Sequence, residues 1–173
     1  MPKIYLPTKL ILIFTKREFI APANTGRLAL LSLPHSVGLI RGDLEKPYDL
    51  SEHFLPTGEK LLLYPSDDAE FLTPDSVAKL SRPVTLVVPD GNWRQTSKMR
   101  RRDPHLSSLR TVKISLGAKS EYKIRHESKK DGLATIEAVA RSLGALEGPQ
   151  VQLELEKIFV MMVSRILASR GKI

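Results

Sequence analysis

The chain has 173 residues, 42% of them hydrophobic and 27% charged, and its formal net charge at pH 7 is +8. This size and composition fit one globular domain with a substantial core and exclude wholesale disorder, and the absence of cysteine excludes a disulfide framework and a thiolate zinc site. No apolar run reaches the ~18 residues of a membrane span and no signal-peptide pattern is found, so we expect a cytoplasmic protein without a membrane partner.

Five short apolar runs predict strands. Each run is β-branched or leucine-rich and nearly continuous, a pattern typical of strands that are covered on both faces. In chain order the predicted strands are Lys9–Phe14, Val37–Ile40, Lys60–Tyr64, Val84–Val88 and Thr111–Leu116.

Longer segments with helical spacing separate these strands and follow them. The predicted helices are Asn24–Leu33, Pro74–Leu80, Trp93–Arg102, Thr135–Leu146 and Val151–Ser169. Gly148-Pro149 separates the last two helices, because glycine and then proline stop a helix, and Gly42–Thr57 is the longest predicted loop. The alternation predicts an α/β fold, a single domain with a mostly parallel sheet and helices on both faces.

The positive charge is concentrated in one block. Gly91–Lys130 contains 12 Lys and Arg against 3 Asp and Glu, whereas the rest of the chain contains 15 against 16. A run of charge is often only a solvated face, but an excess confined to forty residues favours a surface that binds a polyanion.

Polar loops follow three of the predicted strands. Open α/β sheets bind ligands beyond the carboxyl ends of their strands, so these loops are candidates for a binding site. The loop Tyr64–Ala69 could also be a plain helix N-cap, and the loop Pro89–Trp93 could also be a plain turn, so a purely structural role stays open for each. The loops are Tyr64–Ala69 (YPSDDA), Pro89–Trp93 (PDGNW), and a segment from Leu116-Gly117 through Tyr122 and Arg125 to Thr135 and Glu137.

The second loop lies in the stretch VTLVVPDGNWRQTSKMRRR, which resembles the DTW-domain family. The namesake motif of this family is an Asp, a variable residue, a Thr and a Trp after a core strand. Asp90, Gly91 and Trp93 match the motif, and Asn92 stands where the family usually has Thr. Four further segments resemble the family in the same order, so that the likeness extends over roughly residues 8 to 170: Asn24–Leu28, Leu62–Ala69, Tyr122–Arg125 and Leu133–Ala138.

The resemblance implies a fold and an activity. The fold is that of a single DTW domain over residues 1–173, related to the SPOUT methyltransferases, with a knotted part at about residues 60–170 that binds S-adenosylmethionine. The activity is transfer of the 3-amino-3-carboxypropyl group of S-adenosylmethionine to uridine N3 in tRNA, with release of methylthioadenosine. The implied partner is tRNA, a monomer is favoured, and no metal is expected. Many members of the family carry a cysteine-rich segment, whereas this sequence contains no cysteine.

Two other functions share these features. A SPOUT-type RNA methyltransferase would use the same fold and donor but would transfer the methyl group. A non-catalytic RNA-binding relative would keep only the basic face. The combination of Asp90, Trp93, Tyr122 and Glu137 argues against the second alternative.

Asp90, Asn92 and Trp93 are the catalytic candidates. Asp90 is the candidate general base for the proton on uridine N3, although it could instead cap the helix that starts near Trp93. Trp93 offers a flat surface for stacking or belongs to the core.

Backbone amides of the three loops suit adenine and ribose, whereas the methionine end needs a donor and an acceptor such as Ser66, Thr135 or Glu137. The candidate cofactor-binding residues are Tyr64, Pro65, Ser66, Pro89, Asp90, Gly91, Trp93, Leu116, Gly117, Tyr122, Leu133, Thr135 and Glu137. The candidate RNA-binding residues, which would contact phosphates, are Arg27, Arg94, Lys98, Arg100, Arg101, Arg102 and Arg125.

Overall fold

The computed structural model describes residues 2–22, 24–42, 49–115 and 133–169, and within them it has six strands and seven α-helices. The strands are β1 (Lys9–Thr15), β2 (Val37–Arg41), β3 (Glu59–Leu63), β4 (Glu70–Phe71), β5 (Val84–Asp90) and β6 (Arg110–Lys113). The helices are α1 (Lys16–Ile20), α2 (Thr25–Ser32), α3 (Pro74–Ala78), α4 (Trp93–Arg102), α5 (Pro104–Ser107), α6 (Thr135–Glu147) and α7 (Pro149–Ser169), and a 3-10 turn covers Leu50–His53.

The predicted elements are confirmed, and four short ones were missed. All five predicted strands and all five predicted helices are present, and the break at Gly148-Pro149 is confirmed because α6 ends at Glu147 and α7 begins at Pro149. The missed elements, β4, α1, α5 and the 3-10 turn, have only two to five residues each. Helices this short make less than two turns, and a strand of two residues shows no alternation, so the spacing of apolar residues does not reveal these elements.

The six strands form one sheet in the order β2-β1-β5-β3-β6-β4, and the pairs are parallel. Phe14 of β1 lies beside Asp90 of β5, and Leu63 of β3 lies beside Val112 of β6. Because the strands run in the same direction, their carboxyl ends lie along one edge of the sheet. The predicted parallel α/β sheet is confirmed.

Helices cover the sheet on both faces. On one face, Leu12 and Leu86 of the strands pack in a cluster with Ala29 of α2, Ile136 of α6 and Phe159 of α7. The other cluster contains strand residues of alternate position, such as Ile11, Ile13 and Val87, with Met99 of α4 and Leu106 of α5. This alternation follows from the two-residue period of a strand. All seven residues of β5 are buried, which explains its nearly continuous apolar sequence.

The connections from β1 and β5 lead to opposite sides of the sheet. After β1 the chain passes through α2 to β2 at one end of the sheet, whereas after β5 it passes through α4 and α5, on the other face, to β6. Neighbouring strands whose connections diverge in this way leave a crevice between their carboxyl ends, where open α/β sheets bind ligands. The knot implied for residues 60–170 stays a prediction, since that part includes residues 116–132, which lie outside the described residues.

Candidate functional site

Asp90 lies at the carboxyl end of β5, beside Phe14 of β1, and is only 3% exposed. Its Oδ2 accepts a hydrogen bond from Nδ2 of Asn24 at 2.6 Å, and its Oδ1 accepts one from Oγ1 of Thr135 at 2.5 Å. A buried carboxylate needs such donors, because an unpaired charge is very costly away from water. The carboxylate therefore joins the end of β5 to the starts of α2 and α6.

Gly26 allows α2 to approach this carboxylate closely. A Cβ atom at Gly26 would lie 2.8 Å from Oδ2 of Asp90 and 3.0 Å from Cε1 of Phe14. Both distances are too short for a side chain without displacement of a buried neighbour. The amino-terminal end of α2, which carries the positive end of the helix dipole, thus comes near a negative charge. We call Asp90, Asn24, Gly26 and Thr135 the Asp90 cluster.

Glu137 is engaged at the start of α6, next to the Asp90 cluster. The side chain is 4% exposed, and its Oε2 accepts a hydrogen bond from the backbone N–H of Ala134 at 2.8 Å. The backbone N–H of Ile136 donates to Oγ1 of Thr25 at 3.4 Å. The first bond caps the start of α6, and the second joins α6 to α2. Glu137 therefore orders the start of α6, and its contact with a cofactor stays a prediction.

Trp93 forms part of an aromatic and ionic contact between the loop after β3 and α4. Its ring meets that of Tyr64 edge to face, with 6.2 Å between centroids, and the guanidinium of Arg100 lies 5.3 Å from the Tyr64 ring centroid. Arg100 also donates to Oδ2 of Asp68 at 2.8 Å. Trp93 is partly buried, so one part of its ring packs against protein and another part stays at the surface.

The hydroxyl of Ser66, in the loop after β3, is enclosed by protein atoms. Its interaction with the carboxylate of Asp68 holds the pKa of that carboxyl below the ordinary value, with a smaller contribution from the Arg100 guanidinium. The Ser66 carbonyl accepts a hydrogen bond from Nζ of Lys113 at 3.0 Å, which ties this loop to β6.

One face of α4 forms a shallow basic groove of about 380 Å³, which we call the α4 groove. Its lining residues are Arg94, Ser97, Lys98, Arg101 and Arg102, and their spacing puts them on one face of the helix. Thr96 and Met99 of the same helix are buried. Within the described residues, the four cations of the groove make no ion pair.

The other residues predicted to bind RNA have different surroundings. Arg100 is held by Asp68, as described, and so differs from its neighbours in the basic run. Arg27 is exposed on α2, where its guanidinium donates to the Phe19 carbonyl at 3.4 Å. Four predicted site residues lie outside the described residues: Leu116, Gly117, Tyr122 and Arg125.

In the described part of the chain, no helix is long and apolar enough to cross a membrane. Across the same residues, His, Asp and Glu side chains form no group of three suited to a metal ion.

A family model described as the DTW domain matches residues 1–167. The chain belongs to the DTW domain family. Over 96 residues it is 36% identical to tRNA-uridine aminocarboxypropyltransferase 2 of Drosophila melanogaster, a match that covers 56% of this chain and 38% of that protein. The match thus spans about two fifths of the length of this relative.

A solved structure shares the fold of this DTW domain. It is described as the SAM-dependent rRNA:acp-transferase Tsr3 from Vulcanisaeta distributa. The likeness has a TM-score of 0.52, covers 92% of this chain and 80% of the other, and has 15% sequence identity. With 15% sequence identity, the two proteins are similar in fold alone.

Asn92, which takes the place of Thr in the motif of the DTW domain, caps α4. Its Oδ1 accepts a hydrogen bond from the backbone N–H of Gln95 at 3.0 Å, and Oε1 of Gln95 accepts one from the backbone N–H of Asn92 at 2.7 Å. Asn and Thr are both preferred N-cap residues, so the substitution keeps this interaction. The cap that the sequence analysis considered for Asp90 therefore belongs to Asn92, and the catalytic role of Asn92 stays a prediction.

We expect Asn92→Ala to lower the free energy of unfolding by about 1 kcal/mol, the usual loss for a missing N-cap. Asn92→Thr keeps a side-chain oxygen and should stay within about 0.5 kcal/mol of the wild type. Urea denaturation of the three proteins measures both changes. Equal losses in the two variants would contradict a capping role.

Sequence reasoning missed Asn24 and Gly26 in the DTW domain. The segment Asn24–Leu28 resembles the family, but the sequence suggests a role for Arg27 alone within it. Asn24 is the first residue of the predicted helix Asn24–Leu33, and an Asn at the start of a helical pattern is typical of an N-cap. Nothing in the sequence indicated that its amide would reach a carboxylate 66 residues away.

Proposed function

We propose that this DTW domain transfers the 3-amino-3-carboxypropyl group of S-adenosylmethionine to N3 of a uridine in tRNA, releasing methylthioadenosine. The observation that carries the proposal is the buried carboxylate of Asp90, held from two sides in the crevice of the sheet and followed directly by the basic helix α4. Family membership and the name of the fly relative support the same activity.

The residues around the crevice fit a nucleoside donor. The loops after β3 and β5 are neighbours because these strands pair, so polar groups of both loops can contact the same ligand. Tyr64–Ser66, Pro89–Trp93 and Leu133–Glu137 would hold the donor. The donor supplies a sulfonium sulfur with electrophilic carbons, and the protein selects one of them by holding it in line with the nucleophile.

Asp90 would accept the proton of uridine N3. This nitrogen is a weak nucleophile until its proton leaves, and a positioned base accelerates such a step by about 10²–10⁴-fold. Because Asp90 is almost fully enclosed, the transfer would take place away from bulk water. The incoming base must displace a neighbour of Asp90, such as Oγ1 of Thr135.

The α4 groove would bind phosphates of the tRNA. Four cations that make no ion pair with described residues suit a sequence-independent contact with an RNA backbone. Trp93 lies at the first position of the same helix, so its exposed part could stack on a uridine that has left its own stack.

Two isotopically labelled donors test the proposal against the alternatives. With label in the aminocarboxypropyl arm, we expect label in the tRNA; with label in the methyl group, we expect it only in methylthioadenosine. Label from the methyl group in tRNA would indicate a methyltransferase instead. Binding of tRNA without transfer of either label would indicate a non-catalytic RNA-binding protein.

We expect S-adenosylmethionine to bind with the same Kd in a chelating buffer and in a buffer that contains divalent metal. The donor carries its own positive charge and electrophilic carbon, and the sequence offers no thiolate for zinc. Isothermal titration calorimetry under both conditions measures this. A Kd that is tenfold or more higher in the chelating buffer, a loss of about 1.4 kcal/mol in binding free energy, would contradict the prediction.

A further inference from the structure

We infer that Asn24 is a positioning residue that fixes the plane of the Asp90 carboxylate, an inference that rests on the proposed role of Asp90 as the base. Asn24 is 6% exposed and uses both ends of its side-chain amide. Its Oδ1 accepts a hydrogen bond from the backbone N–H of Arg27 at 3.0 Å, and its Nδ2 donates to Oδ2 of Asp90 at 2.6 Å. One residue thus caps α2 and contacts the carboxylate at the same time.

Asparagine is the residue type that this double contact requires. Ser, Thr, Asp and Asn all cap helices with a side-chain oxygen, but among them only Asn carries an acceptor and an N–H donor on separate atoms. The absence of a side chain at Gly26 lets the start of α2 come close enough for the amide to reach. The cap fixes the amide oxygen, so the direction of Nδ2 is fixed by α2.

The contact matters for the base because an aspartate does not orient its own carboxylate well. The terminal torsion of Asp is broad, with no sharp rotamer wells. Here Asn24 holds Oδ2 and Thr135 holds Oδ1, from helices on the same face of the sheet. If an incoming base displaces Thr135, Asn24 remains to hold the carboxylate in the orientation needed for proton transfer.

The test replaces the amide but keeps the cap. Asn24→Ser retains an N-cap oxygen and removes the donor to Asp90. We expect kcat to fall about 10- to 100-fold, since a misplaced catalytic group costs up to about 10², while KM for donor and tRNA changes less than about twofold. Asn24→Thr, which also caps but fills more volume, provides the same comparison if Asn24→Ser does not fold.

A double-mutant cycle separates positioning from general structural damage. If Asn24 acts through Asp90, then Asn24→Ser in an Asp90→Asn background lowers kcat by less than about threefold further. The control is Thr73→Ala, which removes the oxygen that accepts from the backbone N–H of Ser76 and caps α3. It should lower Tm and leave kcat unchanged.

Wild-type kcat in Asn24→Ser, or an equal loss in both Asp90 backgrounds, would overturn the inference and leave the role of Asp90 intact. Wild-type turnover in Asp90→Asn alone would overturn the proposed base and this inference with it.

Discussion

We expect Asp90→Asn to leave the DTW domain folded and to lower turnover by about 10²–10⁴-fold, the usual contribution of a general base. The amide keeps the volume of the carboxylate. Its oxygen can accept from Asn24, and its N–H can donate to the Thr135 hydroxyl, which accepts as well as donates. We therefore expect the free energy of unfolding to change by no more than about 1–2 kcal/mol.

Single-turnover assays across pH measure this effect. Turnover of Asp90→Asn should rise with pH, because a growing fraction of uridine loses its N3 proton without help. The matched control is Asp103→Asn, at another buried carboxylate, which caps α5 on the opposite face of the sheet; its turnover should equal that of the wild type. Normal turnover in Asp90→Asn would mean that Asp90 is structural and that the base is another group.

The triple variant Lys98→Ala, Arg101→Ala and Arg102→Ala should lose most of its affinity for tRNA. Each phosphate contact that is lost reduces the log–log slope of affinity against salt by about 0.7–0.9, so the slope should become shallower by about 2–3. The residues line the α4 groove, whose lining includes no member of the Asp90 cluster, and the Kd for S-adenosylmethionine should not change. Filter-binding titrations at several salt concentrations measure the slope.

A second triple variant controls for net charge. Lys79, Lys157 and Arg165 are exposed and lie outside α4, so their replacement by Ala removes the same charge from other surfaces. We expect the salt slope of this control to stay within about one contact, roughly 0.9, of the wild type. Equal slopes for the two triple variants would show that the α4 groove is only a solvated face.

The architecture was predictable because the strands and long helices carry a clear period. β5 is buried along its whole length and is nearly continuously apolar from Val84 to Val88, and α6 and α7 bury Ile136 and Phe159 at helical spacing. The periodicity of single elements does not reveal the order of the strands in the sheet. That order places β5 between β1 and β3 and so decides which loops are neighbours.

The site was predictable only where a residue acts within its own loop. The sequence predicts roles for Asp90 and Trp93 because they follow a core strand directly, and these roles stay predictions. Arg100 was grouped with Arg101 and Arg102, because adjacent arginines look equivalent in a sequence. Only the position of the loop after β3 shows that Asp68 holds one of them.

The contacts of the Asp90 cluster also bear on how the protein folds. Asp90 bonds with residues 66 positions before it and 45 positions after it, and Thr25 bonds with Ile136 over 111 positions. Contacts of such high sequence separation form late, since the chain must close large loops before they give any stability. A nascent or truncated chain that ends before α6 carries the complete motif but lacks Thr135, which donates to Oδ1 of Asp90. The geometry of the site is therefore assembled only after synthesis has passed residue 135.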